Sequence, residues 1–162
     1  MIQRTRDEVI RVSGSTHISV TPAEVWALIK PAESAMFLEP TVVKAFQVPG
    51  TPKGVGEMQG FISHREGLEH IHLIEMVEEI PEQLAVIRQV GSNDPAARTT
   101  YRLTSDFTGT NLEFEQALTV PAVHARSAAS IREQHQLAAV TLLSRVKYIL
   151  EQDHSPRRGR HA

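Results

Sequence analysis

The feature that most constrains how this chain can fold is a long amphipathic segment over residues 125–152. When this segment is wound as an α-helix at 100° per residue, its apolar residues gather on one face. They are Ala128, Ile131, Ala138, Ala139, Leu142, Leu143, Val146, Ile149 and Leu150. His135 lies in the middle of that face, and the opposite side is polar. The segment therefore predicts one long helix that must pack its apolar face against another element.

The residues before this helix are typical of β-strands. Alternating apolar and polar positions predict strands over 9–20, 42–48, 55–64, 68–80, 84–90, 99–107 and 111–120. After the first strand, Thr21, Pro22 and Glu24 form the start signal of a short helix that ends before Pro31. A second helical turn is predicted over 32–38. The order is therefore a strand, two short helices, six strands and a long helix.

The chain is predicted to form one α+β domain over 9–152, because neither a repeat nor a linker interrupts it. Residues 1–8 are interpreted as an N-terminal extension and 153–162 as a mobile basic tail. The single long helix must lie across the sheet, since neither apolar face can be left in water. A sheet curved around one helix tends to leave a space between them, and we expect the function to reside there.

Composition excludes several classes of function. The 162 residues are 41% hydrophobic and 22% charged, with a formal net charge of −2, so nucleic acid is not an expected partner. The absence of cysteine excludes disulfides, thiolate zinc sites and cysteine nucleophiles. The N-terminus is polar, and apolar runs stay shorter than a membrane span needs. We expect a cytoplasmic protein without integral membrane association.

Three segments in this order resemble the START-like (SRPBCC) superfamily, which includes polyketide cyclases and lipid-transfer domains. They are ISVTPAEVWALI at 18–29, PKGVGE at 52–57 and VEEIPEQL at 77–84. The resemblance covers nearly the whole chain. It implies a helix-grip fold, in which a seven-stranded antiparallel sheet surrounds the C-terminal helix and a cavity. It implies less about chemistry, because this fold carries both binders and enzymes.

His135 is the first candidate functional residue. Either it is a neutral core histidine hydrogen-bonded to a strand, or its imidazole enters the cavity as a ligand contact or general acid/base. Left unpaired on an apolar face, the ring would cost roughly 1–3 kcal/mol. It therefore needs a partner, which cavity water or a ligand would supply.

His70 and His72 project to the same side of one strand, together with Met76. Two histidines so spaced bind zinc or iron when a third ligand joins them. His64 would share their face only if the turn between the strands had an odd number of residues. A metal site is the weaker hypothesis, and we expect no cofactor. The alternative is that both histidines lie on the solvated side of the sheet.

Other strands place polar residues on apolar faces, as small-molecule pockets do. Arg88 would be expensive to bury unpaired, so an inward Arg88 would indicate an anionic ligand or a buried carboxylate. Trp26 is interpreted as a packing residue rather than a ligand contact. The full predicted ligand-binding set is Phe61, Ser63, His70, His72, Met76, Arg88, Tyr101, Phe114, Gln116, Ile131, His135, Ala138 and Leu142.

Three functions stay open at this point. The first is binding of a small hydrophobic or amphipathic molecule, lipid-like or polyketide-like, between sheet and helix. The second is a polyketide cyclase/dehydratase-type enzyme, with His135 and Tyr101 as acid/base residues and Arg88 stabilising an enolate or carboxylate. The third is a protein-interaction module with a filled cavity and an exposed apolar patch. The residues also leave open a homodimer.

Overall fold

The computed structural model of the protein describes residues 7–153. Most of the predicted N-terminal extension and basic tail therefore lies outside the described residues. Glu8, the last residue of the predicted extension, begins the first strand. Asp153, the first residue of the predicted tail, ends the long helix.

The order of strands and helices matches the prediction, and their ends lie within three residues of it. The described residues form β1 Glu8–Ile18, α1 Pro22–Ile29, α2 Ala35–Leu38, β2 Val42–Gln47, β3 Met58–Arg65, β4 Leu68–Ile80, β5 Leu84–Gln89, β6 Arg98–Asp106, β7 Gly109–Val120 and α3 Ala128–Asp153. Short 3-10 helices, Ala32–Ser34 and Ala122–Ser127, lead into α2 and α3. No helix in residues 7–153 is long and apolar enough to cross a membrane.

The seven strands form one antiparallel sheet in the order β1-β7-β6-β5-β4-β3-β2. Successive strands from β2 to β7 are neighbours, while β1 lies beside β7. β1 and β2 are therefore the two edges of the sheet. The chain between them, which contains α1 and α2, has to pass from one edge to the other. This passage adds a helical wall to the layer formed by α3.

The start of α1 has the predicted capping box. The Thr21 hydroxyl accepts a hydrogen bond from the Glu24 backbone N–H at 3.4 Å. In return the Thr21 backbone N–H donates to Glu24 Oε2 at 2.9 Å. Pro22 occupies the first helical turn, where a missing N–H costs nothing. These local contacts set the direction in which α1 leaves β1.

The main core lies between α3 and the β1–β7 side of the sheet. Its buried residues are Val12, Ile18, Val20, Val25, Leu38, Leu103, Leu112, Phe114, Ala139, Leu143 and Val146. At Gly14 the helix comes so close that an added Cβ would lie 3.0 Å from Leu143 Cδ1. The missing side chain of Gly14 therefore lets α3 pack closely against β1.

Polar residues of α3 also contact β1. Gln136 Nε2 donates to the Ser13 carbonyl at 2.8 Å, and the Ser19 backbone N–H donates to Glu151 at 3.1 Å. Lys147 donates to a further backbone carbonyl of the strand. These bonds satisfy backbone groups of the edge strand β1 and of Ser19 just after it, which would otherwise be open to pairing with another chain.

Candidate functional site

A cavity of about 960 Å³ lies between the inner face of the sheet, α3 and the helical segment that follows β1. The inner face contributes alternate residues of β3 to β7, as the period of a strand requires. α3 contributes His135, Ala138 and Leu142, which recur at helical spacing. The third wall includes Trp26, Ile29 and Leu38.

Most of the predicted ligand-binding residues line this cavity. They are Phe61, Ser63, His70, His72, Met76, Tyr101, Phe114, Gln116, His135, Ala138 and Leu142. That they contact a ligand stays a prediction. Trp26 has both the packing role proposed for it and a place in the wall, since it packs against the core and lines the cavity.

Arg88 does not line the cavity. Its Nη2 and Nε atoms donate to Glu75 Oε2 at 2.8 and 3.1 Å, on the outer side of the sheet. Ala85, Ile87 and Gln89 take the inner face of β5 instead. Both faces of this strand are apolar at its start, so alternation alone did not determine its phase, and an error of one residue reverses every side chain.

Ile131 is also outside the cavity. It packs against Ile10, Val120 and Ala128, a separate small cluster at the N-terminal end of α3. The apolar stripe of the helix was predicted correctly, but its first turn covers the β1–β7 edge. The cavity begins about one turn later, at Gln134 and His135.

His135 has a protein partner at the sheet. Its Nδ1 atom lies 2.8 Å from Gln116 Oε1, and Gln116 Nε2 donates to Thr99 Oγ1 at 3.4 Å. Burial lowers the pKa of His135 below its ordinary 6.5, and the positive charge of Arg65 lowers it further. The ring is therefore neutral at pH 7. It combines features of both predicted roles, since it is hydrogen-bonded to a strand and lines the cavity.

Tyr101 is the second polar group that the cavity encloses. Its ring meets Phe114 edge-to-face, with centroids 5.3 Å apart and planes at 71°. Burial raises the pKa of the Tyr101 phenol, and the negative charge of Glu39 adds to the effect. The hydroxyl therefore stays protonated and can donate a hydrogen bond. Among residues 7–153 it has no hydrogen-bond partner, so a ligand group or water can take this position.

His72 and His70 project to the same side of β4, as predicted, and that side faces the cavity. His72 stacks on Phe61, with ring centroids 5.1 Å apart and planes at 20°. Burial lowers its pKa below 6.5; Glu39 opposes this effect and Arg65 adds to it. His70 is exposed at the rim. The His72 ring is therefore neutral at pH 7, and its main contact is the stacking on Phe61.

The metal hypothesis finds no third ligand among the described residues. The β3–β4 turn has two residues, so His64 pairs with Glu69 in the register and hydrogen-bonds it at 3.0 Å. An even turn puts His64 on the face opposite His70 and His72. In the described part of the chain, histidines and carboxylates nowhere form a group of three or more suited to a metal ion.

A buried ion cluster beside the cavity was not predicted. Lys30 Nζ lies 2.8 Å from Glu57 Oε2 and 3.6 Å from Glu79 Oε2. Gln59 Nε2 donates to Glu57 Oε1 at 2.7 Å and to the Lys30 carbonyl at 3.0 Å. Lys30 and Gln59 also line the cavity. The Lys30 ammonium and the Gln59 amide already have partners, so this side of the wall is polar and its positive charge is taken up by the two carboxylates.

Burial on its own would raise the pKa of Glu57, whose side chain is only 6% exposed. Hydrogen bonds from Lys30, Gln59 and the Gly54 backbone N–H outweigh burial, so the pKa lies below its ordinary 4.5. Glu79 Oε2 is the single buried side-chain oxygen or nitrogen without a hydrogen-bond partner in residues 7–153. Glu57 is therefore ionised at pH 7, and the charge balance around it depends on Lys30.

Sequence reasoning missed several lining residues. Gln59 lies on the same alternating face as Phe61 and Ser63, so extending that pattern by one position would have found it. Gln89 was missed because the phase of β5 was reversed. Lys30 has no local signal, because Glu57 and Glu79 come from distant segments.

The similarities to known proteins are similarities of structure and not of sequence. No protein-family model matches the sequence, and no curated protein matches it. The fold is similar to that of the Zhui aromatase/cyclase from Streptomyces sp. R1128, with a TM-score of 0.74 and 12% identity over 94% of this chain and 99% of the other. It is also similar to protein SA2116 of unknown function from Staphylococcus aureus, with a TM-score of 0.75 and 9% identity over 91% and 97%.

A third similar structure is the Polyketide_cyc-like protein Cgl2372 from Corynebacterium glutamicum. It matches with a TM-score of 0.67 and 16% identity over 95% of this chain and 99% of the other. Identities this low establish a shared fold rather than a shared activity. Together with the sheet order and the long C-terminal helix, these similarities show that the chain has the helix-grip fold.

Proposed function

We propose that this protein binds a small amphipathic molecule, lipid-like or polyketide-like, in the cavity between the sheet and α3. The observation that carries the proposal is the cavity itself. Its volume of about 960 Å³ lies in the range of small-molecule sites, roughly 300–1,000 Å³. Apolar and aromatic side chains form most of its wall, and a few polar groups converge on it.

The polar groups that lack a strong internal partner indicate where such a ligand would be anchored. The Tyr101 hydroxyl is protonated and unpartnered within the described residues. His135 and His72 are neutral rings with lowered pKa values. By contrast, the nearby charge of Lys30 is already balanced. Two further charged residues of the lining, Glu39 and Arg65, have opposite signs. A neutral or weakly polar ligand therefore suits this wall better than a strongly charged one.

An acid/base enzyme is the alternative use of the same cavity. Tyr101 could act as an acid but not as a base at pH 7, because burial raises its pKa. Arg88, the third member of the predicted catalytic set, lies outside the cavity. Binding requires only the anchoring groups that are present, so we prefer it. The filled cavity of a protein-interaction module does not match this open space.

The experiment is a comparison of three proteins by titration with the neutral fluorescent probe N-phenyl-1-naphthylamine. The wild type is compared with Ala138→Phe, which fills the cavity from α3, and with Ala129→Phe, an exposed position on the same helix. We expect the wild type and Ala129→Phe to bind the probe alike. Ala138→Phe should bind at least about tenfold more weakly, which corresponds to 1.4 kcal/mol.

Native mass spectrometry of the same three proteins, followed by organic extraction, would identify a co-purifying molecule. We expect it to be retained by the wild type and Ala129→Phe and to be lost from Ala138→Phe. Probe binding that is absent from the wild type, or equal in all three proteins, would contradict the proposal. In the second case the probe would be binding elsewhere on the surface.

A further inference from the structure

We infer that Thr99, Gln116 and His135 form a hydrogen-bond relay that holds the His135 imidazole as an acceptor toward the cavity, so that the ligand presents a neutral hydroxyl group to it. The inference rests on the proposed function. It adds the chemical class of the group that is recognised and assigns a positioning role to Gln116.

The sheet sets the first half of the relay. Thr99 and Gln116 are directly opposite each other on β6 and β7, and both side chains face the cavity. Gln116 Nε2 donates to Thr99 Oγ1 at 3.4 Å. This contact turns the other end of the amide, Oε1, toward α3.

The amide oxygen then determines which ring nitrogen of His135 carries the proton. Gln116 Oε1 lies 2.8 Å from His135 Nδ1. Because a carbonyl oxygen can only accept, Nδ1 must be the protonated nitrogen. A neutral imidazole carries one N–H, so Nε2 holds a free lone pair. Burial and the charge of Arg65 lower the pKa of His135, which keeps the ring neutral.

His135 Nε2 is open to the cavity. Within residues 7–153 the ring makes no second hydrogen bond. Nε2 does not belong to the buried polar atoms that lack a partner, so it is accessible. His135 is one of the residues that line the cavity wall. A ligand that fills this space therefore meets a nitrogen that accepts a hydrogen bond and cannot donate one.

This acceptor selects among ligand groups. A hydroxyl donates to Nε2 and satisfies both atoms, whereas an ether or ketone oxygen would face another acceptor and leave both unpaired. An ammonium would also donate, but it would have to lose its water against largely apolar walls. A neutral hydroxyl or phenol is therefore the group that fits.

The binding test uses 1-naphthol and 1-methoxynaphthalene, which differ in whether the oxygen carries a hydrogen. Wild-type protein should bind 1-naphthol about tenfold more tightly, as expected for one hydrogen bond of about 1.4 kcal/mol. In Gln116→Met this preference should fall below about threefold. Gln134→Met is the matched control, because Gln134 lines the cavity but takes no part in the relay. The extra methyl group of 1-methoxynaphthalene affects binding to every variant, so comparing the 1-naphthol preference between variants removes its contribution.

A second readout needs no ligand. Nitrogen-15 NMR of the His135 ring should show the Nδ1–H tautomer in the wild type and in Gln134→Met, and a mixture of tautomers in Gln116→Met. An Nε2–H tautomer in the wild type would overturn the relay. Equal binding of the two probes by the wild type would overturn the hydroxyl specificity while leaving the proposed function intact. If neither probe bound, the proposed function and the ligand class would both fail, and NMR would still decide the relay.

Discussion

Lys30 holds two buried carboxylates in place beside the cavity. Its ammonium group contacts Glu57 at 2.8 Å and Glu79 at 3.6 Å. Lys30 is the C-cap of α1, Glu57 lies in the loop before β3, and Glu79 lies in β4. A buried ion pair adds little net stability, because desolvation offsets much of the attraction. Removing one partner is different, since the remaining charges stay buried without compensation.

Lys30→Met should therefore lower the free energy of unfolding by about 3 kcal/mol at pH 7. Methionine keeps the apolar stem but leaves Glu57 and Glu79 without their ammonium partner. Urea denaturation measures the change, with Lys53→Met as the control because Lys53 is exposed and outside the cluster. A loss below about 1 kcal/mol, typical of exposed pairs, would show that water compensates these carboxylates.

The stability difference between wild type and Lys30→Met should also depend on pH. In the wild type the lowered pKa of Glu57 stabilises the fold above pH 4.5, and this contribution is lost as the pH falls through the folded-state value. In the variant, burial without Lys30 should raise that pKa, so that protonation relieves the cost as the pH falls. The difference should be largest at pH 7 and narrow toward pH 4. Denaturation series of both proteins at four pH values measure it, and a constant difference would refute the explanation.

The packing of α3 against β1 depends on Gly14. An added Cβ would lie 3.0 Å from Leu143 Cδ1, closer than ordinary contact, while the neighbouring Ser15 faces outward. In general a β-branched residue favours a strand. Valine should therefore be costly at Gly14 and tolerated at Ser15, because only Gly14 faces the helix.

Gly14→Val should destabilise the protein by about 1–3 kcal/mol, since its branched side chain must displace Leu143 and shift α3. Ser15→Val should change stability by no more than about 0.5 kcal/mol, or raise it slightly. Urea denaturation of both variants gives the comparison. Equal effects at the two positions would mean that α3 has room to move away from the sheet without cost.

At the scale of single elements, the sequence was least informative about which residues of a strand face the cavity. In β5 the residues Leu84, Ala85, Val86 and Ile87 are apolar on both faces, so periodicity does not choose between them. The register with β4, which shifts between Met76 and Glu78, decides that Ile87 faces inward and Arg88 outward. That choice depends on pairing between strands and cannot be read from β5 alone.

In the whole molecule, the cavity lies beside the hydrophobic core. The core lies under the middle and C-terminal turns of α3 on the β1–β7 side, and the cavity extends under the same helix toward β3 and β4. Any molecule that occupies this space binds the folded state and not the unfolded chain. Binding and stability are therefore linked.

N-phenyl-1-naphthylamine at about 100 times its dissociation constant should raise the free energy of unfolding of the wild type by about 2.7 kcal/mol. The urea midpoint should rise with an unchanged m-value, because the surface exposed on unfolding stays the same. At the same probe concentration Ala138→Phe, whose binding is at least about tenfold weaker, should show a shift of no more than about 1.4 kcal/mol. Equal shifts in both proteins would place the probe outside the cavity.

Much of this protein follows from local patterns in its sequence. Alternation and helical periodicity predicted the order of strands and helices and the position of His135 on the inner side of α3. The start signal at Thr21, Pro22 and Glu24 predicted the capping of α1. These features depend on residues within one or two turns of each other. They could therefore be predicted, whereas the helix-grip fold was implied by the resemblance of three segments to the START-like superfamily.

Only the tertiary structure decided the features that join distant segments. The two-residue turn between β3 and β4 separated His64 from His70, and strand register turned Arg88 outward. Chain crossing between the sheet edges brought Lys30 to Glu57, and packing of α3 brought His135 to Gln116. The physical reason is the same in each case: a contact between segments far apart in sequence depends on register and packing, which no local pattern encodes.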